Sequence, residues 1–549
     1  MGIDATFIGK TSGEESEIDR SSTLRQDVPD MRAPLVDLDR RTFDVTIVGA
    51  GVNGASAAQH LAAAGYSVLL VDKGDFASGS SSRSTRLLHC GLRYLAPGSS
   101  IWEFARHPAR LATALRMARQ AMQSRAQFVA TTAERTRALK FCFPIYNDGP
   151  YKTWQVDLAF RVLNALGADG VPLDYQRLDS SVVRGTPLLR WLRDPERLSS
   201  VAMFREYQFE WPERIAIDAI LDAERMGAMV RNYTTATRLE HTPGSGWRIA
   251  LSDELAPGAP ASVNSRCVLN MAGIWIDQVN AQASGAAHPK RMIAGTKGVH
   301  IMIRLPPECQ EYGIATLNRL NEGLYCIPWR GMHYFGPTET LYEGNFDDVR
   351  PLEEDVRFLL DEANHLLPSI KLKRDDVLFA WAGVRPLGYD KELLPQGKRS
   401  RELHDLGSEG MPDAFALTAG PIMTHRSAGI EVTRAVERRI KPSRAPQALS
   451  YAARRYPENP GSPPLLAGDN TVKLADVQFA AEHEHATNLA DLLFRRTGAG
   501  WTADMAGDAA GRAASAAAGV LGWDDARIAA EIATYRDYLA RNHLMTGKG

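Results

Sequence analysis

Glycine spacing constrains this chain more than any other feature. From Phe43 the sequence reads FDVTIVGAGVNGASAAQHLAAAGYSVLLVD. A short apolar run meets Gly49, Gly51 and Gly54, then an alanine-rich segment, then a second apolar run over residues 66–71, closed by Asp72. The order strand, glycines, helix, strand, acid predicts a βαβ unit built to hold a dinucleotide. Gly49 permits the tight turn, Gly51 lets backbone approach a pyrophosphate, and Gly54 lets the helix pack closely on the strand. The helix N-terminus offers free N–H groups and its positive dipole end to the phosphates. Asp72 is placed to accept hydrogen bonds from a ribose diol.

Charge and cysteine usage narrow the partners. With 64 basic and 65 acidic residues the net charge is −1, which calls for no nucleic acid. Cys90, Cys142, Cys267, Cys309 and Cys326 form no CxxC pair. Neither a zinc ribbon nor a disulfide framework is therefore expected, and a reducing, cytoplasmic setting fits. No apolar run reaches the ~18 residues a spanning helix needs. Residues 1–42 are polar and lack an apolar signal core, and read as a loosely held tail.

Beyond the glycine unit, residues 108–133 repeat Leu111, Leu115, Ala118 and Met122 at helical steps, with Arg110, Arg116, Arg119 and Arg125 interleaved. Such a helix suits either the core, with a solvated arginine face, or peripheral contact with an anionic membrane on its cytoplasmic side. A strand over 201–209 leads to a helix near 213–226, a strand near 228–233, and a hairpin through Pro243, Gly244 and Gly246. Residues 267–272 read as a buried strand. The segments VHIMIRL, GLYCIPW and MHYFG predict an antiparallel sheet inserted into the α/β frame. A last strand, 415–418, precedes a helix from about Thr424. Residues 443–468, rich in Pro, Ser and Gly, read as a linker, and 477–544 as helical throughout. The expected organisation is a tail (1–42), a discontinuous two-part region (43–442), the linker (443–468) and a helical domain (469–549).

Motifs spread along the chain resemble the FAD-dependent glycerol-3-phosphate dehydrogenases, within the D-amino-acid-oxidase-like flavoproteins. They are SSRSTRLLHCGLRYL (81–95), VLNMAGIW (268–275), GTKGVHIMI (295–303), IPW (327–329), WAGVRPL (381–387), SRELHDL (400–406), TAGPIMTHR (418–426) and AEHEHATNLADLLFRRTG (481–498). The resemblance implies a Rossmann-type FAD domain, an antiparallel-sheet substrate domain and a C-terminal helical domain. It also implies hydride transfer from sn-glycerol 3-phosphate to flavin, giving dihydroxyacetone phosphate, with quinone or oxygen as the final acceptor.

Such a site must grip a phosphate dianion, present the alcohol carbon to the flavin and take the hydroxyl proton. Planar guanidiniums suit the first task. The resemblance puts Arg93, Arg385 and Arg401 on substrate-facing positions, with Tyr94 as a further donor or a packed ring. His300 is the expected base, since imidazole titrates near neutrality; a satisfied core histidine is the alternative. Ser81, Ser82, Thr85, His89, Gly273, Gly420 and Thr424 are the expected cofactor contacts beyond the first turn. Two departures stand out: Pro421 replaces the family's usual lysine, and Cys90 replaces glycine, which places a thiol near the cofactor, with a small buried residue in glycine's place as the expected reading and covalent flavin attachment as the alternative. Glu482, His483, Glu484 and His485 point apart on a helix, so no metal is expected. A related polyol phosphate dehydrogenase, an amine or hydroxy-acid oxidase, a non-catalytic flavin protein and an NAD enzyme remain as alternatives.

Overall fold

Two sheets organise the chain, and the first grows from the glycine-bearing unit. In the computed structural model the described residues are 32, 34–95, 104, 106–167, 170–256, 258, 260–284, 290–394 and 397–545. Strand Thr42–Val48 is buried from Phe43 onward, as a central parallel strand covered on both faces must be. It lies parallel between Val68–Val71 and Ala261–Asn270. Met229–Arg231 and Ala414–Thr418 extend the parallel set at either side. The hairpin Thr234–Thr242 and Gly246–Asp253 continues it antiparallel from Ala261–Asn270.

Helix Val52–Ala63 covers this sheet between helices Pro212–Arg225 and His425–Glu437. Its alanines Ala55, Ala57, Ala58 and Ala62 are fully buried. Small side chains let the helices approach closely: a Cβ on Gly429 would stand 2.5 Å from Ser56 Oγ and from His60 Nδ1.

The second sheet is the inserted, largely antiparallel one. Its centre pairs Ile293–Ile303 with Val377–Gly388 on one side and Met332–Gly336 on the other. Gly323–Trp329, Tyr312–Leu317, Thr136–Tyr146 and Leu198–Phe209 follow in that order. Leu87–Leu88, inside the loop that follows the glycine unit, pairs with Leu198–Phe209 and ties the two sheets together. The α/β frame with an inserted sheet is thus the architecture of the molecule.

Several local expectations change. Residues 1–31 and 33 of the expected tail lie outside the described residues, but its end is held. Leu35 and Leu38 are buried, and Arg40 N–H donates to Ser262 O. The segment expected as a linker is laid along the end of helix Val52–Ala63. Arg444 N–H donates to Gly65 O, Gln447 N–H to Ala63 O, and the Tyr451 hydroxyl meets His60 Nε2 at 2.7 Å. Residues 477–544 are not helical throughout. Helices Leu474–His483, Ala510–Leu521 and Asp525–His543 are interrupted by a π-helical turn, Asp491–Arg496, and by turns over 497–509. Asp491 opens that wide turn by accepting from Thr487 N–H and Oγ1. Glu484 binds Arg214, and His485 Nε2 lies 3.0 Å from Glu224 Oε1, which leaves both side chains partnered within the protein.

Helix Pro108–Thr131 forms as expected, with Ala118 and Met122 buried. Arg125 departs from the solvated face: it is fully buried and donates to Pro172 O at 3.1 Å and Arg205 O at 3.0 Å. Arg110, Arg116 and Arg119 are exposed. Among the described residues no helix is long and apolar enough to cross a membrane.

Candidate active site

One cavity of about 710 Å³ runs from the C-terminal ends of the parallel strands to the inner face of the second sheet. At its first end stand Gly49, Gly51 and Asp72. Gly49 has φ +105°, a conformation open to glycine, and a Cβ there would lie 2.6 Å from Met271 O. Gly51 brings no capping side chain to the helix that begins after it, and with Ser81 Oγ taking only the Val52 N–H, the rest of the first turn suits an anion. Asp72 Oδ2 accepts Ala50 N–H at 2.6 Å and Oδ1 accepts Gly74 N–H at 2.9 Å. Burial raises its pKa to about 6 against those two bonds. Each oxygen keeps a lone pair for a further donor.

Gly54 does not reach the cavity. A Cβ on it would stand 1.9 Å from Gly49 O, so its role is close packing of helix on turn. Gly54→Ala must push the helix off the turn it supports. We expect the purified variant to be colourless, measured as the ratio of flavin to protein absorbance, where the parent chain is yellow.

The loop after Asp72 wraps the cavity. Ser81 Oγ accepts Val52 N–H at 3.0 Å, locking the loop to the helix start. Gly273, at φ +60° with open space where a Cβ would go, and Gly420, at φ +91°, complete the wall. A glycine-lined cleft with unused N–H groups at one end and an acid beside it matches a dinucleotide in shape and chemistry.

The opposite end is cationic. Arg93, Arg385 and Arg399 all line it, together with Tyr94, Tyr325 and Glu339. Arg93 sits deep in the molecule yet is exposed, because what it faces is the cavity. Glu339 is an ion-pair partner of Arg399 and lies 3.5 Å from Arg385 Nη1. Burial works against its charge, but Arg399 and Arg385 hold its carboxyl below the usual value. Arg385 is pushed down to about 10, by burial first and then by Arg399 and Arg93, with Glu339 opposing. Its Nη1 is buried and makes no hydrogen bond. Arg399 and Arg385 thus pair with Glu339, Arg93 acts on it from further off, and Glu322 acts on Arg385 and Arg399 in turn.

His300 sits between the two ends. Strand pairing sets it opposite Trp381, and sets Thr296 opposite Arg385. The imidazole stacks on the Trp381 ring at 4.7 Å and 9°. Its Nε2 lies 3.1 Å from Thr85 Oγ1, and its Nδ1 is buried without a partner. Burial, then Arg385 and Arg86, hold its pKa well below 6.5, so it is neutral at neutral pH. His89 also lines the cavity, packed edge-on against Tyr94 at 5.5 Å, and burial and Arg93 lower it to about 3.

Three further expected contacts, Arg401, Thr424 and Ser82, lie elsewhere, and Cys90 is the small buried residue expected. The Arg401 guanidinium is taken by Glu431 at 2.7 Å, Ser427 Oγ at 2.8 Å and Thr424 O at 3.0 Å. Thr424 Oγ1 donates back to Pro421 O at 2.9 Å, closing its own turn. Ser82 Oγ donates to Gly79 O at 3.1 Å on the far side of its loop. Cys90 is fully buried, and burial and Glu206 raise its thiol pKa, so it faces the core and not the cleft. Arg399 and Glu339 were both missed from sequence: Arg399 lies in the charged run Lys398, Arg399, Arg401, Glu402 and Glu339 between two threonines, so neither stands out.

Residues 44–421 match the FAD dependent oxidoreductase family, and residues 443–528 match the C-terminal domain of alpha-glycerophosphate oxidase. A glycerol-3-phosphate dehydrogenase of Synechocystis sp. is 28% identical over 419 residues, covering 75% of this chain and 72% of that protein. A D-erythritol 1-phosphate dehydrogenase of Brucella abortus is 28% identical over 396 residues, covering 70% and 72%. Among solved structures, the glycerol-3-phosphate dehydrogenase from Bacillus halodurans complexed with FAD shares the fold, with a TM-score of 0.68, 18% identity, and 92% and 96% coverage. With its glycine-lined cleft suited to a dinucleotide, the chain belongs to the FAD-dependent oxidoreductase family, and FAD is its cofactor.

Proposed function

We propose that the protein oxidises a phosphorylated polyol, sn-glycerol 3-phosphate, to the corresponding ketone, dihydroxyacetone phosphate. The observation that carries this reading is the cationic end of the cavity: three guanidiniums line it around the carboxylate of Glu339, and Arg385 Nη1 makes no hydrogen bond. The guanidiniums outnumber the nearby carboxylates, Glu339 and the more distant Glu322, so this end of the cavity favours an anionic group. The names of the Synechocystis and Brucella relatives agree with a phosphate ester of a polyol.

Bound FAD supplies the hydride acceptor of the reaction. The chain's own residues do the rest. Gly49, Gly51 and the first helix turn would hold the pyrophosphate, and Asp72 a ribose hydroxyl. Arg93 and Arg385 grip the phosphate by charge-assisted bonds and so orient the alcohol. His300, neutral and donating Nε2–H to Thr85 Oγ1, keeps Nδ1 free to accept the hydroxyl proton as the C–H bond breaks. The electrons leave for a quinone or oxygen, and the exposed arginine face of helix Pro108–Thr131 suits contact with an anionic membrane surface.

The test is anaerobic. The yellow protein should bleach on addition of sn-glycerol 3-phosphate and stay oxidised with glycerol. Flavin that resists every three- to five-carbon polyol phosphate, yet is reduced by an amine or a 2-hydroxy acid, would overturn the proposal.

A further inference from the structure

The segment between Gly397 and Glu402 holds two arginines two positions apart, and the fold separates them completely. Arg401, the one inside a recognisable motif, is saturated: every guanidinium nitrogen has a partner among Glu431, Ser427 and Thr424. Arg399 turns into the cavity instead, one quarter exposed there, with Glu339 as its ion-pair partner. Pro421 lines the same cavity and contributes no charge.

We propose that Arg399 is a ligand of the substrate's phosphate and that Glu339 is the anion it exchanges for that phosphate. The proposal rests on the polyol phosphate reading above and adds a residue and a swap to it. Its basis is charge and placement. Arg93, Arg385 and Arg399 crowd one buried carboxylate, Glu339, whose side chain is 8% exposed. That carboxylate holds Arg399 and Arg385 in place while the site is empty of substrate. A phosphate dianion brings two charges and three acceptor oxygens, so it outcompetes a single carboxylate for planar forks. Glu339 thereby weakens binding of any anion while keeping the forks aimed. Removing either partner therefore has opposite consequences for phosphate.

A purely structural Arg399–Glu339 pair would behave differently, since breaking it from either side would disorder the same wall and weaken binding alike. The holoenzyme can be titrated with inorganic phosphate, following the flavin spectrum, for the parent chain, Arg399→Ala, Arg399→Lys and Glu339→Gln. The proposal expects Arg399→Ala to weaken phosphate roughly 10- to 100-fold, with Arg399→Lys between it and the parent. Glu339→Gln should tighten phosphate roughly threefold or more. In turnover, Arg399→Ala should raise KM for sn-glycerol 3-phosphate by the same 10- to 100-fold, with kcat changed little. Weakening by both Arg399→Ala and Glu339→Gln, or no effect of either, would overturn the proposal. A parent chain that neither binds phosphate nor is reduced by any polyol phosphate would instead remove the functional reading beneath it.

Discussion

His300→Gln should lower kcat by about 10²- to 10⁴-fold, the usual contribution of a general base, while the purified variant stays yellow. The structure sets up that separation. Glutamine can still donate to Thr85 Oγ1 and lie against Trp381, so the wall keeps its shape, but it cannot take a proton. The pH profile carries the sharper prediction. Burial, Arg385 and Arg86 hold the imidazole pKa well below 6.5. The neutral, proton-accepting form therefore persists as pH falls past the ordinary histidine value. The acid limb of kcat in the parent chain should lie below pH 6.5, with a flat profile through neutrality. Stopped-flow reduction of the flavin by sn-glycerol 3-phosphate from pH 5 to 9 measures both effects. A variant that reduces flavin at the parental rate, or an acid limb unchanged in His300→Gln, would take the proton from this residue.

The cofactor end of this site was legible in the sequence because its logic is local. Gly49, Gly51, Gly54 and Asp72 lie within one βαβ unit, and each is placed by strand and helix geometry that glycine spacing announces. The substrate end is assembled from distant segments, and it was legible only in part. Arg93, Arg385 and His300, which line the cavity, could be singled out because each lies in a motif. Arg385 and His300 then fall on paired strands, with Arg385 opposite Thr296 and its guanidinium reaching along the strand to Gly298. Arg399 and Arg401 could not be told apart, since side-chain direction in a loop has no period to read. Gly397 at φ +55° breaks the alternation just before them. Glu339 escaped notice for a related reason. It follows the strand Met332–Gly336, and reaches Arg385 only because Val299 and Thr338 exchange hydrogen bonds across the sheet. Cys90 and Ser82 show the converse: their neighbours in sequence line the cleft, but their own side chains turn to Glu206 and to Gly79 O.

The largest expected loss of stability comes from a residue outside the cavity, Asp75. It sits three positions beyond Asp72, at the root of the loop that wraps the cofactor, and it is buried. Both carboxylate oxygens bind Arg496, at 2.7 Å each, while Arg495 shares one of them. Asn232 donates from the parallel sheet at 2.9 Å. The two arginines come from the π-helical turn Asp491–Arg496, so this cluster is where the C-terminal helices grip the cofactor loop. Burial alone would raise the Asp75 pKa, but Arg496 and then Arg495 hold it well below the usual carboxylate range. A depressed carboxyl stabilises the fold above its ordinary pKa of 3.8, and the contribution fades only as pH falls below that value. Asp75→Asn removes the charge and leaves buried guanidiniums short of a partner, with Arg495 keeping only Asp491. Breaking such a pair from one side costs about 3–5 kcal/mol. Asp75→Asn should therefore unfold at a markedly lower denaturant midpoint and bind FAD more weakly, because the loop is freed along with the helices. The double variant Asp75→Asn, Arg496→Met should recover part of the stability, since it removes one of the stranded charges and fills the space with an apolar chain. Urea unfolding followed by tryptophan and flavin fluorescence measures both quantities together. Coincident shifts of the two signals would show that the C-terminal turn and the cofactor loop open as one unit, whereas loss of flavin without loss of stability would confine the role of Asp75 to the loop.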